Sequence, residues 1–220
     1  MPKQLAFHID TSSCTACKAC QAACKDKNSL PVGMLWRRVL RYEGGEWAPH
    51  PTQPHVSVPV GVFAYSVSVG CMHCQDPICV RVCPTHAMHK REDGIVLVDR
   101  DKCNGCRDCM GACPFGAPQY IEALAVVSKC DFCSDLLQKG DSPACVAACP
   151  TRALGFGELE DLRRDHGRLD AIEPLPTSLV TRPSVVVTPH RNARPSGSGG
   201  GFVANLPEET HAVDPLALRP

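Results

Sequence analysis

The sequence predicts an α+β protein built from two duplicated cysteine-rich modules, with a hairpin insertion and an extended C-terminal tail. Its 220 residues include 16 cysteines, 20 prolines and 17 glycines, and only 5% are aromatic. The cysteines fall into four similar motifs, and the stretch that follows the second motif recurs after the fourth. Because so loop-rich a protein has a thin apolar core, we expect bound metal to supply part of its cohesion.

The third motif, residues 103–114, defines the pattern. Its spacing is C-x2-C-x2-C-x3-C-P, by which bacterial ferredoxins hold [4Fe–4S] clusters, the fourth cysteine binding a second cluster. Two-residue gaps let one loop present three thiolates to one cluster. The three-residue gap starts a helical turn that carries the last cysteine about 6 Å further, and Pro114 then turns the chain away. The motif predicts a bacterial-ferredoxin-like module.

The other three motifs are variants of this spacing. Residues 14–24 keep it, but Lys25 stands where the other motifs have proline. Residues 71–84 widen the middle gap by two residues, and residues 130–150 have eleven residues there. The fourth motif is identified by the internal repeat of its C-P-T-x-A-x ending. Recurrence of strand, cysteine loop and C-P turn indicates duplication.

The cysteines are expected to bind clusters in pairs of motifs, because each run gives its last cysteine to a second cluster. Only nineteen residues separate Cys83 from Cys103, which favours pairing motif two with three and motif one with four. The alternative pairs one with two and three with four. The favoured pairing predicts four [4Fe–4S] clusters with the following ligand sets: Cys14, Cys17, Cys20 and Cys149; Cys24, Cys130, Cys133 and Cys145; Cys71, Cys74, Cys79 and Cys113; Cys83, Cys103, Cys106 and Cys109.

The segments between and beyond the motifs complete the predicted organisation. The predicted units are a two-cluster module of residues 1–24 plus 121–173, an insertion of residues 25–70, a two-cluster module of residues 71–120, and a tail of residues 174–220. In the insertion, a hairpin is predicted to turn at Gly44–Gly45, before a strand at 62–69. The tail from Pro174 has no periodicity, so it is expected to be disordered or to become ordered on a partner.

Three shorter elements are predicted from local patterns. Residues 4–10 form a strand that enters the first motif, and residues 86–100 form a hairpin that turns at Asp93–Gly94. Residues 158–166 form a short amphipathic helix.

Composition and context weigh against other classes. Zinc sites use two cysteine pairs rather than triplets followed by C-x3-C-P. A disulfide scaffold needs a secretory context, and the first residues show no signal-peptide pattern. The most apolar stretch, residues 55–72, is too short for a spanning helix and contains Pro59, so no direct membrane insertion is expected. No basic patch with interleaved aromatics indicates nucleic acid.

Charged residues near the motifs have a predicted role, and no catalytic group stands out. The formal net charge is zero before the cluster charge is added. Basic residues would offset that charge, namely Lys18, Lys25, Lys102, Arg107 and Lys129. His73 and His86 lie beside cluster cysteines, where a histidine could tune a cluster or relay protons, but they are predicted to be solvated loop histidines. The protein is therefore expected to transfer electrons without transforming a substrate.

The arrangement resembles the iron–sulfur subunits of dimethyl sulfoxide reductase, in the group of four-cluster electron-transfer subunits of molybdopterin oxidoreductases. Besides the four motifs, the resemblance covers residues 87–94, 113–120 and 166–176. It implies the favoured pairing of motifs, a molybdopterin-containing catalytic subunit, and an integral membrane anchor that oxidises quinol. It also implies a peripheral location at the cytoplasmic membrane through that anchor.

Two alternatives remain open. The protein could be a stand-alone polyferredoxin-type soluble carrier, because a fold does not determine a function, or the same subunit of a different molybdopterin oxidoreductase. The insertion and the tail are surplus to a soluble carrier and favour a docked subunit. Without a signal of its own, export would require travel with a signal-bearing catalytic subunit.

Overall fold

The structure is a computed structural model that describes residues 3–206, and it combines short helices with strands. The strands are β1 (Leu5–Asp10), β2 (Arg38–His50), β3 (Gln53–Val69), β4 (Met88–Lys90), β5 (Val96–Val98), β6 (Gln119–Ile121), β7 (Val126–Ser128), β8 (Leu154–Glu158), β9 (Val185–Thr188) and β10 (Phe202–Val203). The helices are α1 (Ala19–Lys27), α2 (Ile78–Arg81), α3 (Asp108–Ala112), α4 (Ser134–Leu137), α5 (Ala144–Ala147) and α6 (Leu159–His166), with a 3-10 turn at Glu122–Leu124.

A three-stranded sheet in the order β8-β1-β9 contributes to the main core. Strand β1 pairs antiparallel with β8 and parallel with β9. Phe7 and Ile9 of β1 lie in the main core, whereas Ala6 packs with Leu159 and Leu162 of α6. Strand β1 is therefore covered on both faces. This sheet joins segments from distant parts of the sequence beside the first and fourth motifs.

The expectation of an extended tail is wrong for residues 174–206. Val185 and Val187 of β9 are fully buried in the main core, and Val186 is fully buried on the other face of the sheet. A continuous apolar run is typical of a strand covered on both faces, which is why no alternation marks it. Further along, β10 pairs with β2. Residues 207–220 of the predicted tail lie outside the described residues.

The insertion contains a hairpin, but its turn is not at Gly44–Gly45. Strands β2 and β3 pair from residue 38 to residue 69 and turn at Pro51 and Thr52. The two glycines lie inside the hairpin, where the register shifts between Gly44 and Glu46 and Gly45 has a φ of 118°. Glycine adopts this left-handed backbone without steric cost, so it permits a bulge as readily as a turn.

The smaller predictions agree with the structure. Strand β1 forms, and β4 and β5 form a hairpin around Asp93–Gly94. Helix α6 buries Leu159 and Leu162 and exposes its charged residues, as its amphipathic pattern predicts. None of the helices within residues 3–206 combines the length and apolar character needed to cross a bilayer.

Candidate metal centres

The four C-x2-C loops share one unusual backbone feature. The residue before the second cysteine has a positive φ in every loop: 57° at Ala16, 41° at His73, 71° at Gly105 and 61° at Phe132. Only one of these residues is glycine, and a left-handed backbone costs other residues about 1–2 kcal/mol. Such strain persists where surrounding interactions compensate for it, and it clusters at ligand-binding sites. The four loops therefore have one common geometry despite different sequences.

A short helix positions the third cysteine of each motif. Cys20, Cys79, Cys109 and Cys145 lie on α1, α2, α3 and α5 respectively. The helices α2, α3 and α5 end before a C-P pair, since proline disfavours helical backbone in the residue preceding it. Helix α1 instead continues through Cys24 to Lys27. Lys25 in place of proline permits this longer helix.

Three cavities are each lined by one of the predicted ligand sets. We call them sites A, C and D. The lining cysteines are Cys14, Cys17, Cys20 and Cys149 at site A, Cys71, Cys74, Cys79 and Cys113 at site C, and Cys83, Cys103, Cys106 and Cys109 at site D. Because each cavity is lined by four cysteines, the three sites suit three copies of one group.

The fourth predicted set also comes together and is called site B. Its members are Cys24, Cys130, Cys133 and Cys145, which are 4–8% exposed. Helix α1, which carries Cys24, packs against α5, which carries Cys145. The Cys24 thiol interacts electrostatically with those of Cys145 and Cys133, and the Cys130 thiol interacts with those of Cys24 and Cys145. Site B thus joins residues more than one hundred positions apart.

Burial makes several of these thiols poor acids. Desolvation raises the pKa of Cys24, Cys74, Cys79 and Cys109 to about 12. Metal ligands must be thiolates, so binding here requires a cationic group that stabilises the deprotonated form. An iron–sulfur core is such a group, and thiolate is its usual ligand.

Cys83 and Cys149, the last cysteines of the second and fourth motifs, differ from the others. Desolvation raises the pKa of each thiol, but hydrogen bonds outweigh it, and the pKa lies below its ordinary value. The donors are equivalent in the two copies of the C-P-T-x-A-x repeat: the backbone amides of Met88 and Leu154, and the hydroxyls of two threonines. The two copies of the internal repeat therefore resemble each other in their hydrogen bonds to the last cysteine as well as in sequence.

Buried contacts connect the four sites in the order A, B, C, D, which we call the line of sites. Cys20 of site A and Cys24 of site B lie one turn apart on α1. Cys24 and Cys130 of site B share a buried apolar cluster with Cys71 of site C. A second cluster joins the cysteines of sites C and D, in which α2 packs against α3. Each site therefore adjoins the next through buried side chains.

The prediction that His73 is solvated is wrong. Its side chain is 0% exposed and lies in the wall of site C. Nδ1 accepts a hydrogen bond of 3.0 Å from the Val96 amide, so Nε2 carries the proton of the neutral ring. Within residues 3–206, Nε2 has no hydrogen-bond partner. An unmatched buried donor is costly, and a sulfide-containing group beside it fits the residues present.

The sulfurs are not arranged as they would be around a single metal ion. Within the described residues, no group of three or more His, Cys, Asp or Glu side chains is arranged to hold a single metal ion. At sites A, C and D the four sulfurs instead surround a cavity. This arrangement fits a multi-atom cluster.

Arg37 lies beside these centres, although no sequence pattern indicated it. Arg37 is 3% exposed, and its guanidinium lies 4.5 Å from the centre of the Phe7 ring. It donates hydrogen bonds to the carbonyl and hydroxyl of Ser68, and the Ser68 hydroxyl lies 3.4 Å from the Cys20 sulfur. Only the packing of the β2–β3 hairpin against the first motif brings Arg37 to this position, so no local pattern could have revealed it.

The sequence is similar to known iron–sulfur proteins over most of its length. A family model described as a 4Fe-4S dicluster domain matches residues 62–159. The sequence is 48% identical over 208 residues to the B subunit of anaerobic dimethyl sulfoxide reductase of Escherichia coli (strain K12), covering 94% of this protein and 100% of that relative. It is 43% identical over 203 residues to the corresponding subunit of Haemophilus influenzae, covering 92% and 98% respectively. The B subunit of polysulfide reductase of Wolinella succinogenes is 34% identical over 196 residues, covering 87% and 97%.

The fold, the cysteine sites and the matched domain define an iron–sulfur protein that takes part in electron transport as a subunit of an oxidoreductase. Near full-length similarity then narrows this class. The protein belongs to the family of iron–sulfur subunits of dimethyl sulfoxide reductase, among the molybdopterin oxidoreductases. This result confirms the resemblance that the motifs indicated.

Proposed function

We propose that the protein relays electrons through four [4Fe–4S] clusters from a quinol-oxidising membrane anchor to a molybdopterin catalytic subunit. The sixteen cysteines are the proposed ligands, with one cluster at each of sites A to D. We further propose that the catalytic partner reduces dimethyl sulfoxide or a related S- or N-oxide. Bound clusters of this type supply one-electron redox chemistry.

The exposure of the cysteines along the line of sites is the observation that best supports a relay. Cys17 and Cys106 are the two exposed cysteines of the sixteen, and the others are buried or half-buried. Cys17 belongs to site A and Cys106 to site D, which are the two ends of the line. Electrons could therefore enter at one surface and leave at the other, while the interior sites B and C are kept from solvent.

The residues of the protein have three tasks in this proposal. The strained loops and short helices fix four thiolates around each site. The apolar clusters between the sites exclude water. Around the two exposed cysteines, the surface remains available to partner subunits. No residue is assigned to a chemical transformation of a substrate.

The domain organisation is proposed in the same terms. Sites A and B would belong to one ferredoxin-like module and sites C and D to the other, with the β2–β3 hairpin as an insertion. The location would be peripheral, at the cytoplasmic membrane, through the anchor subunit. A partner similar to that of the Wolinella polysulfide reductase is the second candidate, because that relative also matches over nearly its full length.

The first prediction concerns stoichiometry. Protein purified without oxygen should contain about sixteen iron atoms and about sixteen acid-labile sulfides per molecule, since four sets of four thiolates each hold one cluster. Iron and sulfide analysis with a protein assay measures this ratio. About half that iron, or zinc in place of iron, would contradict the four-cluster proposal.

A second measurement separates a docked subunit from a stand-alone carrier. The tagged protein should be purified from anaerobically grown cells of its source, and the molybdenum content of the product measured. A docked subunit should co-purify with molybdenum in about the same molar amount as the protein. A fully iron-loaded protein that is always free of molybdenum would favour the soluble carrier.

A further inference from the structure

Two cations lie buried beside the proposed clusters. Arg37 is 3% exposed and Lys129 is 4% exposed. Burying a charge without a partner of opposite sign is costly. In the described part of the structure, the hydrogen-bond acceptors of Arg37 are groups of Ser68, and those of Lys129 are the carbonyls of Val96 and Cys130. All of these acceptors are neutral, so within residues 3–206 neither cation is hydrogen-bonded to a carboxylate.

Arg37 is influenced electrostatically by cysteines of two sites. Its guanidinium interacts electrostatically with Cys20 of site A and with Cys24, Cys130 and Cys145 of site B. Desolvation lowers the pKa of Arg37, but these sulfurs raise it, and the net direction is upward. The hydrogen-bonded connection through Ser68 to the Cys20 sulfur places the guanidinium beside site A as well. Arg37 therefore lies between sites A and B.

Lys129 occupies the corresponding position at site C. Its side chain lines that cavity together with the four cysteines of the site. Its charge acts on the thiols of Cys79 and Cys113 and opposes the rise that burial causes in the pKa of each. Its amine is held in place by donating to the carbonyls of Val96 and Cys130, the latter at 3.0 Å.

Site D is built differently. The charged groups that influence the Cys109 thiol are the other three cysteines of the site. Lys102 is next to Cys103 in sequence, but its side chain is 65% exposed and pairs with Asp99 at 2.9 Å. Arg107, which lines site D, is 43% exposed and pairs with Glu122. The basic side chains that we find near site D within residues 3–206 thus reach solvent. Site D therefore serves as an internal reference for the effect of a buried cation at the other three sites.

We propose that Arg37 is the shared counter-ion of the clusters at sites A and B, that Lys129 is the counter-ion at site C, and that both raise the reduction potentials there. This proposal rests on the four-cluster function proposed above. An oxidised cluster with four thiolates carries a charge of about −2, and the one electron it accepts adds a further negative charge without breaking a bond. A fixed buried cation stabilises the reduced form more than the oxidised form. Both residues would act on the reduction potential of a cluster without binding it, so we call them positioning residues.

The test is a redox titration of the intact, iron-loaded protein followed by EPR, with Arg37→Gln and Lys129→Gln variants. Arg37→Gln should make reduction at sites A and B at least about tenfold less favourable, which is about 59 mV for a one-electron couple. Lys129→Gln should do the same at site C. Site D should keep its potential in both variants. Signals are assigned to sites with single cysteine variants.

Matched controls remove the same charge from the surface. Arg41 lies on the strand that begins directly after Arg37, is 54% exposed and pairs with Glu43. Lys102 precedes a motif cysteine as Lys129 does. Arg41→Gln and Lys102→Gln should change the equilibrium constant for reduction at sites A, B and C by no more than about twofold, because solvent screens exposed charges.

Charge-preserving variants distinguish electrostatics from packing. If Arg37→Gln fails to bind iron, the Arg37→Lys variant decides the question. A full iron content with unchanged reduction potentials at sites A and B supports the proposal. Loss of iron, or a tenfold shift in the reduction equilibrium at these sites, overturns it. Lys129→Arg serves the same purpose at site C. The counter-ion role is also overturned if a Gln variant with full iron content keeps the wild-type reduction potentials. The same holds if the reduction potential of site D shifts as much as those of the other sites. Wild-type protein with fewer than four clusters would instead contradict the proposed function.

Discussion

The Val186→Asp variant is expected to lose most of its folded, iron-loaded protein. Val186 lies inside β9 and is 0% exposed, packed against Ala6, Leu159 and Leu162. An ionised carboxylate there would have no partner, and an uncompensated buried charge costs about 3–5 kcal/mol. That is a large share of the total stability of about 5–15 kcal/mol that is typical of a native protein.

A matched control separates this effect from any change in the C-terminal segment. Val180 lies a few residues earlier and is 49% exposed. Val180→Asp should therefore unfold within a few degrees of the wild type. Anaerobic thermal unfolding, followed by the visible absorbance of the clusters, measures both variants, with iron content as a second readout. Equal stability of the two variants would show that β9 is no part of the core.

The local features of the protein could be predicted because each depends on residues close in sequence. The C-x2-C loops, the helical turn in each C-x3-C and the turn at Asp93–Gly94 are all set by spacing or by turn chemistry. The ligand sets were predicted from a longer-range argument, namely that motif two lies close to motif three in sequence. The cysteines line the cavities at sites A, C and D in those sets.

The features that sequence analysis missed depend on contacts between distant residues. Val185 pairs with Phe7 in a parallel register, and no local signal encodes a parallel partner 178 positions away. Its apolar run was the available sign, because strands covered on both faces show no alternation. Arg37 and His73 look like ordinary polar residues in sequence. Both are buried only because segments from elsewhere in the sequence cover them.

The hairpin shows how two local signals can compete. Both Gly44–Gly45 and Pro51–Thr52 could form a turn. The structure uses the second pair and places the glycines in a bulge. A turn at Pro51 lets β2 and β3 pair as far as residues 38 and 69. A turn at the glycines would instead pair residues 38–43 with the residues that directly follow Gly45, so the present pairing with residues 64–69 would be lost.

Replacing Cys24 with alanine should remove the cluster at site B and leave the one at site C, although Cys24 is far from the other ligands of site B in sequence. Alanine offers no ligand atom, and the three remaining thiolates come from residues 130–145. The expected result is loss of one EPR signal set and a fall in iron, while the signals assigned to sites C and D persist. If the lost signals are those of site C or D, the proposed pairing of motifs is wrong.

Cys20→Ala is the matched variant, because Cys20 lies one turn earlier on the same helix. Both cysteines are buried, at 8% and 5% exposure, so both substitutions remove a buried thiol from α1. A general disturbance of the helix would give the same pattern of cluster loss in each. The proposed ligand sets predict that Cys20→Ala affects site A and Cys24→Ala affects site B. Two distinct losses from one helix would establish that α1 bridges neighbouring clusters, which is the physical basis of the relay.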